Sequence, residues 1–218
     1  MPNNPPVDVQ QHGQSIWYDN IRRSLIQGGE LKRMIEEDGV LGVTSNPTIF
    51  QKAIGDSSDY DAGMMHLLEL EPYDIYERLA IEDIQQALDI IRPVYDRTKG
   101  RDGFVSLEVS PLIADDTQKT VSEAKRLFAT VNRPNIMIKI PATDAGIPAI
   151  EEVIAEGINV NVTLIFSVKN YEQVMEAYIR GLEKRKSAGK PVTGIQSVAS
   201  FFVSRIDAAV DRVLDNNI

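Results

Sequence analysis

Segments with the two-residue period of β-strands alternate with segments of helical period along almost the whole chain. Short apolar runs bounded by turn residues predict six strands, at residues 15–20, 40–45, 104–109, 136–140, 160–166 and 194–200. Apolar residues recur at helical spacing after each strand, as in the stripe from Ile81 to Ile91, which Pro93 is expected to end. The last predicted helix presents three apolar side chains to the core, those of Ile206, Val210 and Val213. This alternation predicts a parallel sheet packed against helices, and hence the α/β class.

Two architectures fit this alternation, a doubly wound sheet and a (β/α)8 barrel. A doubly wound sheet usually carries a Gly-rich phosphate turn after an early strand, and this sequence contains neither GxGxxG nor a Walker loop. Most of the predicted strands have one apolar face, whereas the other face, or the carboxyl end of the strand, is polar. The polar residues concerned are Asp19, Thr44, Asn46, Ser106, Glu108, Lys139, Asn161, Thr163 and Ser200. In a barrel these strand ends meet at one mouth, where such enzymes keep their active sites, so the pattern favours the barrel.

A lysine, Lys139, lies inside the short apolar run of the fourth predicted strand, which Pro141 ends. Burying an unpaired ammonium costs several kcal/mol, so a buried amine tends to find a partner or lose its proton. A neutral amine is a nucleophile, and that is what Schiff-base chemistry on a carbonyl substrate requires. The alternative is a lysine at the strand end that snorkels to solvent or pairs with a structural carboxylate.

The polar residues at the strand ends could together carry out retro-aldol chemistry through an imine. In that interpretation Lys139 attacks a ketone, Glu108 shuttles protons through a water held by Thr163, and Asp19 takes the hydroxyl proton when the C–C bond breaks. Asn46 and Asn161 would bind substrate hydroxyls without adding charge. Each residue also has a purely structural alternative: Glu108 in a salt bridge, Asn46 in a turn before Pro47, and Asn161 and Thr163 as polar residues of a strand edge.

A phosphate site is predicted at the start of the last helix, where a hydroxyl and a guanidinium, those of Ser200 and Arg205, flank its N-terminus. The alternative is an Arg205 that pairs with Asp207 or Asp211 on its own helix. The residues alone do not decide between the two.

Composition limits the compartment and the partners. The sequence has 218 residues, with 23 Lys and Arg against 32 Asp and Glu, which argues against nucleic acid or an anionic membrane as a partner. There is no cysteine, no apolar stretch near the roughly 20 residues of a membrane span, and no signal-peptide core, so a cytoplasmic location is expected. Only two histidines, His12 and His66, are present, and no metal site is expected. Residues 1–14 lack periodicity and are expected to form a flexible tail.

Six stretches of the sequence resemble motifs of the transaldolase family and occur in the family's order. They are SIWYDNIRR (15–23), GVTSNPTIF (42–50), SLEVSP (106–111), MIKIPAT (137–143), INVNVTLIFS (158–167) and SVASFFVSRID (197–207). The resemblance implies a cofactor-free (β/α)8 TIM barrel of the class I aldolase type, which forms a Schiff base. It also implies a role in the pentose phosphate pathway, in which a dihydroxyacetone unit passes from sedoheptulose 7-phosphate to glyceraldehyde 3-phosphate.

The resemblance also assigns roles to individual residues. Lys139 would form the Schiff base, Asp19 and Glu108 would do acid-base work, and Thr163 would hold a water. The substrate-binding positions that it implies are Asn46, Asn161, Ser200, Phe202 and Arg205. Two alternatives stay open: a lyase like fructose 6-phosphate aldolase, and an inactive transaldolase fragment.

The number of predicted β/α units is six, whereas a barrel of this kind closes with eight, typically in about 250 residues. The expected domain, residues 15–218, is therefore a barrel truncated after its sixth unit, from a fragment of a longer protein or one half of a split enzyme. Open first and sixth strands would leave backbone groups unpaired, so association through these edges, or as a homodimer, is expected. Sugar phosphates are the expected small-molecule partners.

Overall fold

The computed structural model describes residues 4–216. Residues 1–3 of the predicted tail and 217–218 of the predicted barrel domain lie outside this part. The chain divides into two compact units, one of residues 1–108 and 128–137 and the other of residues 109–127 and 138–218. Each unit is described by itself.

The first unit contains three parallel strands, each followed in the chain by helical segments. The strands are β1 (Ile16–Asp19), β2 (Val40–Thr44) and β3 (Phe104–Glu108). Its helices are α1 (Pro5–Asp8), α2 (Arg23–Gln27), α3 (Glu30–Glu36), α4 (Pro47–Gly55), α5 (Asp61–Met64) and α6 (Pro72–Thr98), with a 3₁₀ helix at Val9–His12. All three strands lie within one or two residues of their predicted bounds.

Strands β1 and β2 are held in register by a close approach of a large side chain to a glycine. Trp17 pairs with Gly42, and Asp19 pairs with Thr44. A Cβ at Gly42 would lie 2.3 Å from the Trp17 ring, so no other residue fits there without a shift. The indole of Trp17 therefore lies against the β2 backbone at Gly42. Trp17 itself is two residues before Asp19 in β1.

Helix α6 corrects the prediction that Pro93 ends it, because the helix continues to Thr98. A proline inside a helix removes one hydrogen bond and costs about 3 kcal/mol. The turn after it nevertheless packs well, since Val94 is buried and the Tyr95 ring meets Phe104 edge to face at 5.4 Å. Tertiary packing thus outweighs the local penalty.

The N-terminal segment that the sequence predicts to be a flexible tail contains α1 and the 3₁₀ helix from residue 5 to residue 12. Two side chains of this segment donate hydrogen bonds to backbone carbonyls beside β2, Asn4 to Glu37 at 2.7 Å and Gln10 to Gly39 at 2.9 Å. Its mobility in solution stays a prediction.

The second unit contains β5 (Val160–Ile165), β6 (Ser197–Phe201) and most of β4 (Ile136–Pro141). Its helices are α8 (Gly146–Glu156), α9 (Val168–Ser187), α10 (Val203–Asp215) and most of α7 (Thr117–Val131), with a 3₁₀ helix at Pro111–Ile113. Two helices of this unit are capped by the side chain that precedes them: Asp116 accepts from the Lys119 N–H at 3.0 Å, and Ser167 accepts from the Asn170 N–H at 3.1 Å.

A β-bulge near the end of β5 corrects the predicted alternation of this strand. Val162 pairs with Ala199 and Ile165 with Phe201, so one extra β5 residue lies between the two pairs. Leu164 takes up the distortion with a φ of 61°, a left-handed conformation that is strained for this residue. Leu164 is consequently 41% exposed, although strict alternation would place it with the buried Val162.

Helix α10 also differs from its prediction, since none of its described residues is buried. Val210 and Val213, which were expected in the core, are 50% and 59% exposed. Helical periodicity requires these side chains to share a face, but it carries no information on whether that face is covered.

The strand order in the sheet is β1-β2-β3-β4-β5-β6, the same as the order in the chain. A doubly wound sheet reverses its order at a switch point, and no reversal occurs here. The structure therefore confirms the α/β class and the (β/α) barrel type, with six of the eight β/α units of such a barrel. None of the helices in residues 4–216 has the length and apolar composition that crossing a membrane requires.

Candidate active site

Three of the predicted site residues come together in the second unit. Lys139 on β4 is only 6% exposed, and its register partner on β5 is Asn161, which is 2% exposed. The Ser200 hydroxyl, on β6, donates to the Asn161 carboxamide oxygen at 3.1 Å. Three adjacent strands thus bring an amine, an amide and a hydroxyl to neighbouring positions.

Thr163 follows Asn161 on the same face of β5 and is 2% exposed. Its register partner is Pro141, the last residue of β4, and its carbonyl accepts from the Ala142 N–H at 2.8 Å. The bulge at Leu164 begins directly after it. The pairing of β4 with β5 therefore fixes Thr163 two residues beyond the lysine pair.

The first unit positions Asp19, Asn46 and Glu108 at the carboxyl ends of β1, β2 and β3. Asp19 is exposed, and its register partner is Thr44, whose buried hydroxyl has no hydrogen-bond partner among residues 4–216. The Asn46 carboxamide oxygen accepts from the Ile49 N–H at 2.9 Å and so caps α4. Asn46 thus has a structural role as the cap of α4, and its amide N–H groups are the part that can donate to a substrate.

Glu108 is partly buried and affects a tyrosine on α6. Burial first, and then the charges of Tyr73 and Glu108, raise the pKa of Tyr76 to about 12. Tyr76 is therefore a neutral hydroxyl at physiological pH.

A cavity of about 480 Å³ adjoins Asp19 at the end of β1. Its wall includes Asn20 and Arg22 from the β1–α2 segment and Lys52 from α4. Asp56 and Asp59, which follow α4, contribute two carboxylates to the lining. The sequence did not predict this cavity, although Arg22, two residues after the predicted end of the first strand, was a usable signal.

A buried polar network that the sequence did not predict lies beside this cavity. Asp83, fully buried on α6, accepts from Arg23 Nε at 2.8 Å and from the Tyr60 hydroxyl at 2.7 Å. The Arg23 guanidinium also lies 4.6 Å from the centre of the Tyr60 ring. Burial raises the pKa of the Asp83 carboxyl against the effect of both donors, and burial also raises the pKa of Tyr60. Asp83 could have been noticed, because Leu79 and Ala87, one turn away on either side, are both apolar.

The predicted phosphate side is built from aromatic rings and a guanidinium. The Arg205 guanidinium lies 4.3 Å from the centre of the Phe202 ring, and Phe202 stacks on Phe166 at 5.2 Å. In the described residues Arg205 forms no ion pair with Asp207 or Asp211, the alternative that the sequence left open. Among residues 4–216 no three potential ligands are grouped as in a metal site.

The sequence was also compared with known proteins. The family model for transaldolase and fructose-6-phosphate aldolase matches residues 16–217. The chain belongs to this family. Transaldolase 2 of Nostoc sp. is 54% identical over 211 residues, which are 96% of this chain and 55% of that protein. The transaldolase of Trichodesmium erythraeum is 49% identical over an alignment of 220 positions, which covers 100% of this chain and 58% of that protein. That of Neisseria gonorrhoeae is 48% identical over 213 residues, which are 97% and 60% of the two chains.

Membership in the transaldolase and fructose-6-phosphate aldolase family confirms the resemblance carried by the six motifs, all of which overlap or lie within the matched range. The chain spans little more than half the length of these relatives. The roles of the individual site residues stay predictions.

Proposed function

We propose that the protein acts as a transaldolase, transferring a dihydroxyacetone unit from sedoheptulose 7-phosphate to glyceraldehyde 3-phosphate in the pentose phosphate pathway. The observation that carries this proposal is Lys139, a lysine 6% exposed in register with Asn161, in a chain whose relatives are named transaldolase. A buried amine beside a neutral amide suits imine formation, because the amide can bind a substrate hydroxyl without stabilising an ammonium.

The proposed reaction starts with attack of the Lys139 amine on the ketone carbon. Glu108 gives a proton to the leaving hydroxyl of the carbinolamine, with a water held by Thr163 as relay, so that water departs and an iminium forms. Asp19 then takes the proton of the hydroxyl on the next carbon but one. The bond between this hydroxyl-bearing carbon and the carbon next to the iminium carbon breaks, and the aldose phosphate leaves with a new aldehyde. The electron pair of the broken bond moves into the iminium, which becomes an enamine on Lys139.

The second half reverses these steps with the acceptor. The enamine carbon attacks the aldehyde of glyceraldehyde 3-phosphate, the new alkoxide recovers the proton from Asp19, and water hydrolyses the iminium to release the new ketose. Ser200, Phe202 and Arg205 are proposed to bind the substrate phosphate, and Asn46 and Asn161 its hydroxyls. The proposal includes a cytoplasmic location and sugar phosphates as partners, without nucleic acid or membrane.

Borohydride trapping tests the lysine. Incubation with fructose 6-phosphate and borohydride should add a reduced dihydroxyacetone unit to Lys139, because an imine is reducible and an ammonium is not. Lys139→Ala should abolish the adduct in intact-mass measurements, whereas Lys169→Ala, at an exposed position of α9, should not change it. An adduct that persists undiminished in Lys139→Ala would overturn the assignment.

A second candidate, an aldolase that releases free dihydroxyacetone, is favoured by the family model, whose description includes fructose-6-phosphate aldolase. Dihydroxyacetone release from fructose 6-phosphate is therefore measured with and without an aldose phosphate acceptor. A transferase should release it slowly and turn over faster with the acceptor. Full-rate release without acceptor would establish the aldolase instead.

A further inference from the structure

Helix α2, which begins four residues after Asp19, is capped by side chains from a distant segment. The residue before it, Arg22, forms no side-chain cap. Instead the Arg23 N–H donates to the Tyr60 hydroxyl at 3.1 Å, and the Ser24 N–H donates to the Asp59 carboxylate at 3.3 Å. The first N–H groups of a helix have no partner within it, so Tyr60 and Asp59 supply what the local sequence lacks.

Tyr60 is itself held rigidly. Its hydroxyl accepts from the Arg23 N–H and donates to the fully buried Asp83, which also accepts from the Arg23 side chain. Gly63 makes room for this arrangement, since a Cβ there would lie 3.1 Å from a terminal guanidinium nitrogen of Arg23. Arg23 therefore meets the network through both its backbone and its side chain, which fixes the start of α2 in position and in direction.

The same elements form the wall of the cavity beside Asp19. Asn20, Arg22 and Ser24 line it from the segment that leads into α2, and Asp59, which accepts from the Ser24 N–H, lines it as well. Only residues 20–22 separate Asp19 from Arg23, and Ile21 among them is fully buried. The turn after β1 is thus held in three ways: by the pairing of β1 with β2, by the burial of Ile21 and by the hydrogen bonds of the network to Arg23.

We propose that Tyr60 and Asp83 are positioning residues, which hold the turn after β1 so that the Asp19 carboxylate meets the substrate hydroxyl. This inference rests on the proposed function, in which Asp19 takes the proton that accompanies C–C cleavage. The network holds the turn that carries Asp19 and includes neither Lys139 nor Glu108, so we expect it to act on cleavage and not on imine formation. A displacement of about 1 Å at a reacting group can cost roughly a hundredfold in rate.

Trapped adducts separate the two steps. Borohydride reduces the imine of the intact ketose before cleavage, giving an adduct that keeps its phosphate, and the dihydroxyacetone imine after cleavage, giving one that does not. In Tyr60→Phe we expect the ratio of uncleaved to cleaved adduct to rise about tenfold to a hundredfold, with total adduct preserved. Asp83→Asn, which keeps the side-chain shape, should act in the same direction. Val94→Ala, a buried truncation on the same helix α6 away from the network, should leave the ratio unchanged.

Amide hydrogen exchange provides a readout without catalysis. Exchange of the Arg23 and Ser24 amides should speed up in Tyr60→Phe relative to Val94→Ala. Unchanged exchange in Tyr60→Phe would overturn the cap, and faster exchange with an unchanged adduct ratio would overturn the positioning role. If the unaltered chain forms no adduct, the proposed function is wrong, and so is the positioning role of Tyr60 and Asp83 in it. Amide exchange still shows, independently of activity, whether Tyr60 caps α2.

Discussion

The chain contains a buried Arg–Asp ion pair, Arg23 with Asp83, and a comparable exposed pair, Arg133 with Asp89. Comparing the loss of unfolding free energy when each pair is removed measures how much burial contributes. In the buried pair the side chains are 10% and 0% exposed, whereas those of Arg133 and Asp89 are 32% and 56% exposed. Both arginines donate from Nε, at 2.8 Å and 2.6 Å. Arg133 also donates from Nη2 to Asp89 at 3.0 Å, so the exposed pair has the more complete hydrogen bonding and the buried pair differs chiefly in its surroundings.

Replacing Asp83 with alanine leaves Arg23 Nε and the Tyr60 hydroxyl buried without their acceptor, while Arg23 Nη2 keeps its ion pair with Glu82 at 3.2 Å. Removing one partner of a buried pair typically costs about 3–5 kcal/mol, and the remaining pair with Glu82, whose side chain is 45% exposed, favours the lower end of this range. For a chain of this size each kcal/mol corresponds to roughly 2–4 °C, so the melting temperature should fall by about 6–20 °C. Asp89→Ala removes an exposed pair and should cost about 0.2–1 kcal/mol.

The measurement is urea unfolding followed by the fluorescence of Trp17, the one tryptophan of the sequence, with circular dichroism as a second probe. Asp83→Asn should lose less than Asp83→Ala, since the carboxamide oxygen still accepts one hydrogen bond. Equal losses for Asp83→Ala and Asp89→Ala would refute the reasoning, because burial would then not determine the cost.

Two further predictions concern a glycine and an acid-sensitive ion pair. Gly42→Ala should lower the unfolding free energy by about 1–3 kcal/mol and shift the Trp17 emission, because the new Cβ would meet the indole at 2.3 Å, whereas Gly55→Ala, with no atom within 4 Å of its Cβ, should do neither. Arg180 first, and then Lys184, lower the pKa of Glu151 below its ordinary 4.5, so its stabilising contribution is present above that pH and is lost as pH falls through the lower folded-state value. Urea unfolding across this range should therefore show a shallower pH dependence in Glu151→Gln, and parallel curves for the two proteins would contradict the prediction.

The strands and the order of the site residues along the sheet were predictable because they depend on local information. An apolar run bounded by turn residues marks a strand wherever it occurs, and parity then places Lys139 and Asn161 on matching positions of β4 and β5. Caps are equally local, since Asp116 and Ser167 directly precede the helices whose backbone N–H groups they accept from. Family membership adds the expected chemistry of these positions.

The errors concern features that depend on residues far away in the sequence. Pro93 stays inside α6 because packing of Val94 and Tyr95 compensates for the lost hydrogen bond. The hydrogen bond between Tyr60 and Asp83 joins residues 23 positions apart, and no local sequence pattern around either residue predicts that contact. Exposure of α10 likewise depends on neighbours that its own periodicity does not specify.

The bulge at Leu164 has a consequence for how change spreads through the second unit. Up to Thr163 the side-chain directions of β5 follow the pairing with β4, and the extra residue then restarts the count, so that Phe166 and α9 take their orientation from their own contacts. The bulge thus acts as a mechanical joint between the strand and the helix that follows it. We therefore expect that substitutions in α9 can shift this helix without changing the side-chain directions of Asn161 and Thr163. The sequence of α9 can then vary while these two side chains keep their positions.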